Sequence, residues 1–167
     1  GKYALGMPRG MGKTTLCETA AIWAVIPGRH LFAMLLANSD EAAAAILANI
    51  KSDLQFNKTL AADFPEVCYP IDCLEGESRR CAGQLHHGRP TSIQWLADRL
   101  QLPNIPGSPA AGAQVRVAGL TGNIRGALHI TPAGKSIRPT LALIDDPQTD
   151  ASARSPAQVI ERERIIK

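Results

Sequence analysis

Met7-Pro8-Arg9-Gly10-Met11-Gly12-Lys13-Thr14-Thr15 is the stretch that most narrows the folds open to this chain. It stands between Tyr3-Ala4-Leu5, which reads as a short buried strand, and residues 13 to about 26, which read as a helix stopped by Pro27-Gly28. Closely spaced glycines let backbone N–H groups converge on one concavity where a Cβ would intrude, and the N-terminus of the next helix aims its amides the same way. A lysine and a hydroxyl directly after the last glycine complete what is needed to hold phosphates and their cation. Gly10, Gly12, Lys13 and Thr14 fill these places, with Pro8, Arg9, Met11 and Thr15 completing the candidate nucleotide-binding set. The usual pattern has a glycine five residues before Gly12, where Met7 stands here, so the first turn falls to the stiff Pro8 followed by Arg9.

Beyond this turn, strand and helix patterns alternate. Residues 30–37 form a continuous apolar run of strand length, as a parallel strand covered on both faces would; Met34 and the leucines suit a helix nearly as well. Asn38 with Glu41 resembles a capping box, and Ser39 is an equally placed cap. Ala43, Ile46, Leu47, Ile50 and Leu54 then recur at helical spacing. This order predicts an α/β fold with a parallel sheet, right-handed crossovers and flanking helices. From 63 to 108 Pro and Gly recur and periodicity fades, apart from 92–95 and 99–102, which suit a hairpin; the stretch reads as an irregular insertion decorating the core. Residues 114–118 alternate as a strand, a Gly-punctuated segment carries Arg125, Lys135 and Arg138, and 140–144 form a strand ending in Asp145-Asp146. Ser155, Pro156 and Gln158 mark the start of a last helix running to Lys167.

An apolar strand ending in carboxylates places acid at the carboxyl edge of the sheet, beside the phosphate loop. Asp145 and Thr14 are the candidate Mg²⁺ contacts, Asp145 acting through water because Mg²⁺ dehydrates reluctantly. Asp146 would orient or deprotonate the attacking water, with Lys13 on the β/γ-phosphates. Arg9, inside the loop, is placed to reach the γ-phosphate, where such an arginine is worth about 10³–10⁵ in rate; a solvated loop arginine is the plain alternative. Arg125, in Gly122-Asn123-Ile124-Arg125-Gly126, is a second candidate, against an ordinary exposed or structural arginine. The cofactors implied are ATP and Mg²⁺.

Composition sets outer bounds. A chain of 167 residues fits one domain and is long enough to bury roughly 70% of its unfolded surface. With 45% hydrophobic and 20% charged residues it is not of the disordered class, and the apolar run at 31–37 is too short to span a bilayer. No basic-apolar-small leader opens it, which leads to an expectation of host cytoplasm rather than secretion. A net charge of +3 is too mild to establish nucleic-acid binding, and 4% aromatic residues argue against base stacking. Arg79, Arg80, Arg89 and the basic residues from Arg116 to Arg138 offer sequence-independent contacts to a DNA backbone, or a solvated mixed-charge surface. Cys68, Cys73 and Cys81 with His86-His87 supply enough soft ligands for one tetrahedral Zn²⁺; the spacing matches no standard finger, and free thiols with surface histidines are the simpler reading. Cys17 reads as a small buried residue.

In combination these segments resemble the ATPase domain of the large terminase subunit, the DNA-packaging motor of tailed bacteriophages. The resemblance is carried by Pro8-Arg9-Gly10-x-Gly12-Lys13-Thr14, Leu60-Ala61-Ala62-Asp63-Phe64-Pro65-Glu66, Gly122-Asn123-Ile124-Arg125-Gly126, and Arg138-Pro139 leading into Leu143-Ile144-Asp145-Asp146-Pro147. It implies a P-loop NTPase core of the ASCE type, Lys13 and Thr14 as Walker A contacts, Arg9 as the additional Walker A arginine and Asp145 as the Walker B aspartate. Asp146 stands where that family more often has a glutamate, one methylene longer. The resemblance also implies double-stranded DNA, a portal or prohead, the small terminase subunit and further copies of the chain as partners. In that family a coupling motif and a nuclease domain come after the Walker B strand, so the chain is expected to be an incomplete core over residues 1–167 without nuclease activity. Another P-loop ATPase of helicase-like or partition type, and a catalytically silent nucleotide-binding assembly module, are the alternatives.

Overall fold

The computed structural model describes residues 1–8, 10–120, 122, 126–147 and 154–166. Its centre is β1 (Phe32–Ala37), six residues that are all buried. That is why the run lacks alternation: β6 (Gln114–Gly119) pairs with one side of β1 and β9 (Leu141–Ile144) with the other, both parallel, so that Leu36 faces Ala118 and Ile144. The sheet order is β4-β5-β6-β1-β9, with β4 (Gln94–Trp95) and β5 (Arg99–Gln101) joined antiparallel to the β6 edge. The protein is therefore α/β with a mixed sheet, rather than the wholly parallel one that the alternation predicts.

α1 (Lys13–Val25) and α2 (Asp40–Phe56) cover one face of the sheet. Ser39, not Asn38, caps α2, its hydroxyl accepting from Ala42 N–H at 3.2 Å, and Asp40 and Glu41 in the first turn complement the positive end of the helix. Ile46, Leu47, Ile50 and Leu54 pack with Val25 and Ile26 onto Leu35, Val115 and Val117. On the opposite face Phe32, Met34, Leu36, Leu120 and Ala127 form a smaller core. Leu120, Ala127 and Ile137, the last from the hairpin of β7 (His129–Ile130) and β8 (Ser136–Ile137), pack on that face, so among the described residues both covering helices are on the other side.

Two expectations fail. Tyr3-Ala4-Leu5 forms no strand, and Tyr3 and Leu5 are exposed, which leaves β9 as the edge of the sheet. Three residues flanked by Lys2 and Gly6 offer too little burial to offset the entropy of ordering them. Nor is the region from 63 to 108 an irregular decoration. Asn57 caps α3 (Lys58–Asp63) by accepting from Thr59 and Leu60 N–H, both at 3.1 Å, and Pro65 opens α4 (Pro65–Asp72). Val67 and Ile71, one turn apart on α4, enter the main core with Leu74, Ile93, Leu100 and Leu102. Buried Thr91 donates to Gln84 Oε1 at 2.7 Å and Gln84 Nε2 to Pro70 O at 2.8 Å, which ties the small hairpin of β2 (Leu85–His86) and β3 (Arg89–Pro90) to α4.

α5 (Pro156–Ile166) buries none of its described side chains; the Arg162 guanidinium donates to the Pro147 carbonyl. No helix among the described residues is long and apolar enough to cross a membrane.

His129 is buried edge-on against Phe32, and its Nε2 lies 2.8 Å from Gly112 O. Burial lowers its affinity for a proton, against a smaller opposite effect of the carbonyl. Because the folded-state pKa lies below the unfolded value, protonation favours unfolding. Stability contributed by neutral His129 is complete above about pH 6.5 and declines as pH falls through that value towards the lower folded pKa. Thermal melts between pH 7.5 and 5.5 are expected to show a smaller drop in Tm for His129→Gln than for the wild type; equal drops would refute this.

Candidate functional site

The three parallel strands end side by side at one edge of the sheet. Beyond that edge the chain runs on as Asn38-Ser39-Asp40 after β1, as Leu120 and Gly122 after β6, and as Asp145-Asp146 after β9. The ladder continues one residue past the strands, Asp145 N–H donating to Leu36 O and Leu120 N–H to Ala37 O, each at 2.8 Å. Asp145 is thereby buried with its backbone fixed to β1. Asp40 Oδ1 accepts from Gly119 N–H at 2.7 Å, tying the start of α2 to the end of β6.

α1 brings the glycine-rich turn to the same edge. Gly10 and Gly12 have φ of +79° and +74°, and a Cβ on either would meet no atom within 4 Å. These positions need a left-handed backbone rather than space. Gly12 opens α1 with no side-chain cap, and the first turn carries no acid, so no side chain of the described residues caps the amides there. Lys13 Nζ turns back over the loop and donates to Met7 O at 3.2 Å. Thr14 Oγ1 donates to Asp145 Oδ2 at 2.7 Å. A hydroxyl and a carboxylate remote in sequence, both expected at the same cation, are thus in direct contact.

The other candidates are distributed unevenly. Pro8, Gly10, Met11, Gly12 and Thr15 are exposed around the turn. Asp146 comes directly after Asp145 with φ +39°, is exposed, and makes no hydrogen bond or ion pair with a described residue. Arg9 and Arg125 lie outside the described residues. Among the described residues no group of three or more His, Cys, Asp and Glu is placed to hold a metal, so Cys68, Cys73, Cys81 and His86 do not converge as a zinc site. Cys68 is instead buried in the core, and burial, with the Glu66 carboxylate, pushes its thiol up to about 11. Arg79 and Arg80 pair with Glu77 and Glu75 at 3.2 and 2.8 Å, and Arg116 lies 3.8 Å from Asp98; Arg89, Lys135 and Arg138 are exposed.

One further residue near the turn escapes a linear reading. Glu18, on α1, is buried, and its Oε1 accepts from Asn49 Nδ2 of α2 at 2.7 Å. Neighbouring Cys17, expected as a small buried residue, is half-buried; burial first, then the Asp145 and Glu18 carboxylates, raise its thiol above the usual range. The available signal for Glu18 was its place one turn beyond Thr14 on the same helix face. Comparison of the chain with protein-family models, with curated proteins and with solved structures finds no match in any of the three.

Proposed function

We propose that the chain is an ATP-binding and ATP-hydrolysing module of the P-loop type, working in the DNA-packaging motor that its sequence resembles. The single observation that supports this best is the 2.7 Å contact between Thr14 and Asp145 at the uncapped start of α1. Phosphates would rest on the amides that open α1, with Gly10 and Gly12 allowing the loop to curve round them. Lys13 would leave the Met7 carbonyl for the β/γ-phosphates, exchanging a neutral acceptor for a charged one. The Thr14 hydroxyl and Asp145 carboxylate are hard oxygen donors and suit Mg²⁺ by their chemistry. That ion, when bound, neutralises charge on the phosphate oxygens during transfer.

By the same resemblance the partners are double-stranded DNA held by its backbone, a portal or prohead, the small terminase subunit and further copies of the chain. Exposed Arg89, Lys135 and Arg138 are among the cations of the described residues that could meet DNA phosphates. Equilibrium titration with ATP, in MgCl₂ and in EDTA, tests the site. Wild type is expected to bind, and Asp145→Asn to lose most of the Mg²⁺-dependent part, about tenfold, as a charged oxygen becomes neutral. A wild type that takes up no ATP refutes the proposal.

Asp146, exposed and without a hydrogen bond or ion pair to any described residue, favours a second reading, a module that binds nucleotide without turning it over. Phosphate release measured on the same samples separates them: binding with no release above the Lys13→Ala background selects the silent module.

A further inference from the structure

α1 has few anchors at the end that carries the phosphate loop. Its buried residues are Glu18, Ala21, Ala24 and Val25, so a carboxylate is the one fully buried side chain in the first two turns. Alanines give a helix little to interlock with its neighbours, and its roll about its own axis then depends on polar contacts, which are directional. Two are present. Thr14 reaches Asp145 beyond β9, and Glu18 accepts from Asn49 of α2 at 2.7 Å. Residues 14 and 18 lie one turn apart on one face of α1, so a change of roll at either is felt at the other.

We propose that Glu18 is a positioning residue of the phosphate site: its hydrogen bond to Asn49 fixes the roll of α1, and so the direction in which the Thr14 hydroxyl meets Asp145. The inference rests on the nucleotide-binding reading above. A carboxylate buried against a neutral amide is a costly way to join two helices, and an apolar pair would join them at less cost. What an apolar pair lacks is a fixed direction. Glu18 itself touches no phosphate in this role; it acts through Thr14.

The readout is the gain in ATP affinity that Mg²⁺ confers, measured by titrating the whole chain with ATP in MgCl₂ and in EDTA. Glu18→Ala, and independently Asn49→Ala at an exposed position that the fold tolerates, are expected to cut that gain about tenfold. Affinity in EDTA should stay within about twofold, because the loop amides and Lys13 are untouched. Glu18→Gln, whose amide oxygen still accepts from Asn49, should restore the gain to within about threefold of wild type. An undiminished gain in both alanine variants overturns the proposal, and so does a parallel loss in EDTA, which marks simple loosening of the fold. If wild type itself binds no ATP, the nucleotide reading fails and carries this one with it. If wild type binds normally and the alanine variants match it, only the role of Glu18 is refuted.

Discussion

Replacing Lys13 with alanine is expected to weaken ATP binding by about 10- to 150-fold while leaving the fold intact. The ammonium is the one cation among the described residues of the turn, and a charge-assisted hydrogen bond to phosphate is worth about 1.5–3 kcal/mol. Without nucleotide its hydrogen bond within the described residues is the 3.2 Å contact to Met7 O, a half-buried interaction whose loss costs little. Alanine at the first position of α1 is also a good helix former. Titration with ATP should therefore show the loss while the melting temperature moves by no more than about 2 °C, the scale of a 0.5–1 kcal/mol change in a domain of this size. Affinity within twofold of wild type would remove the lysine from the site.

Gly28→Ala should do the reverse and destabilise the protein without touching the site directly. Gly28 ends α1, its N–H donating to Val25 O at 3.1 Å, and it has φ +70°. A Cβ there would stand 2.5 Å from Pro109 O, backbone that cannot swing aside. The left-handed conformation costs about 1–2 kcal/mol for a residue with a Cβ, and the overlap about 1–3 more. The melting temperature should fall by about 5–15 °C. Gly107→Ala is the control: its φ is +87° but nothing lies within 4 Å of the added carbon, so only the conformational part is lost. Equal shifts in the two variants would show that the Pro109 contact yields.

The elements that the residues announce most clearly are those with one environment along their length. β1 is buried at all six positions, and α2 puts Ala43, Ile46, Leu47, Ile50 and Leu54 on a single stripe. Pro70 hides α4, because a proline inside a short helix reads as a breaker, yet Val67 and Ile71 bury well enough for the helix to persist around it. The choice between Asn38 and Ser39 as cap turned on where α2 begins, at Asp40, a one-residue difference that spacing does not encode. At the site, the turn and the acidic strand end were legible because each is a local pattern. Their contact was not local, and neither were the Glu18–Asn49 and Asp40–Gly119 bonds, whose partners lie on different elements. Tyr3-Ala4-Leu5 shows the opposite error, a local pattern with no neighbour to complete it.

The placement of β9 also orders events in time. β1, α2 and β6 lie within the first three quarters of the chain, whereas β9 pairs with β1 from much further along it. Pairings of such long separation close slowly, since the intervening chain must be ordered before the contact is rewarded. Asp145 travels with that strand, so on the ribosome the Thr14 hydroxyl waits for its partner until synthesis has passed the final stretch of sheet. A nascent chain can thus possess its glycine turn and first helices early and still lack half of the Thr14–Asp145 pair.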